Sequence, residues 1–98
     1  MIQHYVLMRL EPGYMDDALF GKISERFKSL KIEVPDHVKN VSTYLNCIER
    51  DTNMDFMVEM TLTSEASLDV YLKHPTHLAL VKEMIPHITS RCSFDYIL

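Results

Sequence analysis

The chain has 98 residues, with ten Lys and Arg against fourteen Asp and Glu, so its formal charge is −4, and only two Gly and four Pro interrupt it. With 47% hydrophobic and 24% charged residues it reads as one globular domain spanning 1–98, neither a disordered segment nor a coiled coil. The scattered bases exclude a nucleic-acid groove, no apolar run approaches the ~20 residues that cross a bilayer, and two cysteines without a CxxC spacing fit a reducing cytoplasm.

From Ile2 to Leu10 the residues Ile2, His4, Val6, Met8 and Leu10 alternate with Gln3, Tyr5, Leu7 and Arg9, which predicts a strand with His4 on the more continuous apolar face. Glu11-Pro12-Gly13 is a turn, since Pro fixes one torsion and Gly supplies the permissive one. The apolar spacing then lengthens to three and four. Leu19, Phe20, Ile23, Phe27 and Leu30 form one stripe, predicting a helix over about 16–30 with Asp16 and Asp17 at its positive end.

After Pro35, Val41, Thr43, Leu45 and Cys47 alternate with Ser42, Tyr44, Asn46 and Ile48 in a second strand, and Glu49 to Asn53 forms the loop. Met54, Phe56, Val58, Met60 and Leu62 give the cleanest two-residue period, a third strand with its core face defined. Thr63 and Ser64 supply an N-cap for a helix through Leu68, Tyr71 and Leu72, and Pro75 restarts the helix to about Met84. The last eight residues alternate Cys92, Phe94, Tyr96 and Leu98 with Ser93, Asp95 and Ile97, predicting a terminal strand. Cys47 and Cys92 read as small, inert core residues.

The order β-α-β-β-α-β is the ferredoxin-like α+β plan, with both helical regions on one face of an antiparallel sheet. The opposite face carries Tyr5, Leu7, Tyr44, Ile48, Met57 and Ile97. At ~25 cal/mol per Å² such a patch is worth several kcal/mol if covered, so the pattern predicts a homodimer closing sheet against sheet.

Chemistry concentrates in Tyr71-Leu72-Lys73-His74-Pro75-Thr76-His77. With Pro75 at the first helical position, His74 is the cap and His77 lies in the first turn, where the helix dipole disfavours a positive charge and leaves a neutral imidazole able to accept a proton. A continuing helix brings the Tyr71 phenol near these rings as a donor toward a developing oxyanion. His74 and His77 also form an HxxH pair, but no third ligand is assured and zinc or iron is not the preferred reading.

The opening Met1-Ile2-Gln3-His4-Tyr5-Val6, the Tyr71–His77 segment and the terminal Phe94-Asp95-Tyr96 together resemble the stress-responsive A/B barrel domain family, over the whole chain. The resemblance implies a dimeric α+β barrel with a pocket between sheet and helices. One characterised plant member is a cofactor-free cyclase of a linear polyketide, and by motif its catalytic tyrosine and histidine correspond to Tyr71 and His77, its strand-one pocket histidine to His4. The first helix here offers no tyrosine, so the polyketide itself does not carry over.

The resulting expectation is a homodimer binding a small apolar or carbonyl-bearing ligand in a pocket lined by His4, Val6, Phe20, Phe27, Tyr71, His77 and Val81, with His74 beside it. Catalysis, where present, is cofactor-free cyclase, lyase or isomerase chemistry with His77 as base and Tyr71 as oxyanion donor. The competing readings are a non-catalytic dimerisation or binding module and a cofactor-independent monooxygenase.

Overall fold

The computed structural model describes residues 1–98. Its elements are β1 (Ile2–Leu10), α1 (Asp17–Glu33), β2 (Val38–Leu45), β3 (Phe56–Leu62), α2 (Glu65–Lys73), α3 (Pro75–Met84) and β4 (Ile88–Ile97), with a 3-10 turn at Ile85–His87 before β4. Local chemistry explains their boundaries. Gly13, at φ 81°, allows the turn after β1, where the Tyr14 N–H meets the Glu11 carbonyl at 3.2 Å. Asp16 caps α1 by accepting the Leu19 N–H at 2.7 Å, and Pro75 opens α3 behind His74, which ends α2. Ser64 occupies the N-cap of α2, but its side chain makes no capping bond.

The four strands form one antiparallel sheet in the order β2-β3-β1-β4, so the fold is the ferredoxin-like α+β arrangement. The helices cover one face. Ile23, Phe27 and Leu30 of α1, Tyr71 of α2, and Leu80 and Met84 of α3 pack on Met8, Val41, Phe56, Val58, Met60 and Leu62 to form the core. In register, His4 faces Met60, Val6 faces Val58 and Met8 faces Phe56, which puts His4 on the helix side of the central strand β1.

Three expectations need correction. The second strand starts at Val38, buried and paired with Leu62, and stops at Leu45, leaving Cys47 and Ile48 in an exposed loop; its register with β3 shifts between Val38 and Asn40. Cys92 is exposed as well, so neither cysteine is a core residue. The cause at Cys92 is the third correction, because β4 has the opposite facing. Its pairing with β1 sets Asp95 across from His4, Ser93 across from Val6 and Arg91 across from Met8, all on the helix side.

Cys92, Phe94 and Tyr96 therefore lie on the open face with Tyr5, Leu7, Tyr44 and Met57, while Ile97 does not. Phe94 is 65% exposed there, and Tyr5 stacks on Tyr96 with ring centroids 6.0 Å apart. The open face is thus more aromatic than the sequence pattern implied.

Candidate functional site

A cavity of about 370 Å³ opens between the sheet and α2–α3. β1 contributes His4, Val6 and Met8, α1 Phe27, α2 Tyr71, α3 His77 and Val81, and β4 Arg91, Ser93 and Asp95. This lies within the ~300–1,000 Å³ of ordinary small-molecule sites and has their mixture of apolar wall and a few polar groups.

The junction between α2 and α3 positions two of the polar groups. Pro75 cannot donate a backbone bond, so the chain breaks and restarts at His74, whose Nδ1 accepts the Thr76 N–H at 3.1 Å. One turn on, His77 Nδ1 lies 2.9 Å from the Leu72 carbonyl. A carbonyl only accepts, so Nδ1 carries the proton and Nε2 of the neutral ring is an acceptor. Burial pushes the His77 pKa below its ordinary value; the Leu72 bond opposes this, while the His4 and Arg91 charges add to it.

His4 is the second imidazole. It is 4% exposed, and its Nδ1 donates to Asp95 Oδ1 across the β1–β4 pair at 2.5 Å. Its Nε2 is buried without any protein partner. A buried polar atom left unpaired costs on the order of 1–3 kcal/mol, so this nitrogen beside a cavity is suited to a ligand.

Between the two imidazoles stands Tyr71, 2% exposed, with its ring centroid 4.5 Å from that of His77 and 5.9 Å from that of His4. Burial raises the Tyr71 pKa far above neutrality, so the phenol is a hydrogen-bond donor at pH 7 and not a phenolate. The set can move a proton at a histidine and stabilise negative charge on a neighbouring oxygen.

Of the residues singled out from the sequence, His4, Val6, Phe27, Tyr71, His77 and Val81 border this one cavity. Phe20 and His74 do not. Phe20 turns edge-on to Phe56, with centroids 5.8 Å apart, and packs, partly buried, against the core beside β3. His74 is occupied as the helix cap. Asp95 and Arg91 are site residues that the sequence pattern missed, because both depend on the facing of β4. No group of three or more His, Cys, Asp or Glu side chains gathers where a metal ion could be held.

A family model described as the stress responsive A/B barrel domain matches residues 2–98. No curated protein matches the sequence significantly. Among solved structures, a dimeric protein of ferredoxin-like fold from Bacteroides fragilis superposes with TM-score 0.82 at 18% identity, covering 99% of this chain and 95% of that one. A dimeric ferredoxin-like protein from Thermobifida fusca gives 0.81 at 24% identity, with 99% and 90% covered. The hydroxynitrile lyase of Passiflora edulis gives 0.77 at 19% identity, with 99% and 92% covered. Likeness at this level of identity shows the shared fold.

Proposed function

The chain belongs to the stress responsive A/B barrel domain family, and from that premise we propose that it is a homodimeric, small-molecule-binding protein that performs cofactor-free proton transfer on a small carbonyl compound. One observation carries the reading. Two imidazoles, each fixed through Nδ1, flank a buried phenol in one cavity, and the Nε2 of His4 is an unpartnered polar atom there.

In this reaction His77 Nε2 takes the proton from a carbon next to the carbonyl, and the electron pair of that C–H bond moves into an enolate. Tyr71 donates to the enolate oxygen, which forms only as the proton leaves, so the bond is stronger in the transition state than in the ground state. The protonated His77 then returns its proton to carbon or to a leaving group, which closes a lyase, isomerase or cyclase cycle without a redox partner. The low pKa of His77 keeps the base in its acceptor form near pH 7.

The homodimer is supported by the aromatic open face and by the dimeric state described for the similar solved proteins. A lyase with the same fold supports the reaction class.

A thermal-shift screen of small ketones, aldehydes and phenols, followed by proton–deuterium exchange on those that bind, tests the reading. Compounds that stabilise the wild type and lose their α-protons to D₂O should do neither with His77→Ala, and Tyr71→Phe should slow exchange about 10²-fold. Binding and exchange that are indifferent to both substitutions would remove the proposal.

A further inference from the structure

The cavity contains one feature that proton transfer does not use. Arg91 lies on the helix-facing side of β4, opposite Met8, and borders the cavity with the two imidazoles and Tyr71. It is exposed at the mouth. The three salt bridges of the chain join His4 to Asp95, Arg26 to Glu83 and His87 to Glu11, so Arg91 has none.

Asp95, the one carboxylate bordering the cavity, is held by His4 and sits four residues along the same strand face, about 13 Å away at the backbone. The Arg91 guanidinium therefore has no carboxylate partner in the cavity. Its charge reaches the reacting end, since Arg91 is one of the groups that hold the His77 pKa down.

Resting on the function proposed above, we infer that Arg91 is a specificity-determining residue and that the carbonyl substrate bears a carboxylate, which the Arg91 guanidinium binds at the cavity mouth. A guanidinium presents a planar fork of donors that matches a carboxylate through two parallel hydrogen bonds, and the apolar walls weaken competition from water. The remaining contacts follow from the geometry. With the carboxylate at Arg91, the carbon skeleton of the ligand meets the apolar wall of Val6, Phe27 and Val81, and its carbonyl lies in the same cavity as Tyr71, His4 and His77. An aryl or alkyl keto acid fits this layout, whereas a neutral ketone leaves the guanidinium unmatched.

Two probes of nearly equal shape test the assignment: phenylpyruvate, and phenylacetone, which has the same ring and ketone without the carboxylate. Affinities are measured by calorimetry on the full-length wild type, Arg91→Gln and Arg91→Lys. The wild type should bind phenylpyruvate about tenfold or more tightly than phenylacetone, the scale of one charged hydrogen-bonded contact. In Arg91→Gln the ratio should fall below about threefold with phenylacetone binding unchanged, and Arg91→Lys should lie between, because lysine keeps the charge and loses the fork.

A wild type that binds both probes equally, or an Arg91→Gln that keeps the preference, overturns the role of Arg91 while leaving the carbonyl site intact. A wild type that binds neither probe overturns this inference, and the screen described above then judges the proton-transfer reading separately.

Discussion

At the scale of single residues, the site depends on how each histidine spends its Nδ1. His77 gives it to a backbone carbonyl, so the orientation of the ring survives many side-chain changes; His4 gives it to one carboxylate, so its orientation depends on Asp95. Replacing Asp95 by Ala should cost about 1 kcal/mol in urea unfolding, the lower part of the range for an unpaired buried donor because Asp95 itself is 41% exposed. In a His4→Phe background the same substitution should cost almost nothing, since the donor is gone. Equal losses in both backgrounds would show that Asp95 acts through something other than His4.

The depressed pKa of His77 gives a second residue-scale prediction. In the unfolded chain the ring protonates near ~6.5, and in the folded chain only at lower pH. The unfolded state thus binds the extra proton first as pH falls, so the stability linked to the neutral ring is present above about 6.5 and is lost as pH drops through the folded value. Between pH 7 and pH 5 the urea midpoint of the wild type should fall more steeply than that of His77→Gln. Parallel profiles would mean that the ring is not held neutral.

At the scale of elements, the sequence was legible wherever the two faces of an element differ in polarity. Phe56, Val58, Met60 and Leu62 alternate with Met57, Glu59 and Thr61, and β3 has the facing that this pattern predicts. Pro75 likewise marked the restart of the helix. In β4 the rule failed for a physical reason. Cys92, Phe94 and Tyr96 are the more apolar set but lie on the open face, while Arg91, Ser93 and Asp95 face the helices because a cavity, not packed core, lies under them. The signal that could have fixed this facing was the pairing of the two terminal strands, Ile2 with Ile97, which sets Asp95 opposite His4.

The α2–α3 junction is a further case, since helix capping and chemistry compete there for two histidines three residues apart. His74→Ala should lower stability by about 0.5–1 kcal/mol through the lost cap and leave ligand binding unchanged. The opposite pattern, intact stability with lost binding, would move His74 into the site.

At the scale of the whole molecule, the helices shelter only one face of the sheet, and Tyr44, Phe94 and Tyr96 remain exposed on the other. Burying such a face against a second copy removes aromatic surface from both chains at once. The wild type should sediment at twice the 11.5 kDa chain mass, and Phe94→Glu should shift the protein toward the monomer at micromolar concentration. A wild type that stays at the single-chain mass would mean that the face is stable in water.

The division of labour along β4 makes even-numbered and odd-numbered positions separate inheritances. Changes at 91, 93 and 95 can retune what enters the cavity, and changes at 94 and 96 can retune how subunits meet, with Cys92 alone bordering both. What this strand cannot absorb is a change of parity. Deleting one residue between Ile88 and Arg91 while the pairing of Ile88 with Leu10 held would turn the aromatic rings inward and the charges outward, and both properties would vanish in a single step.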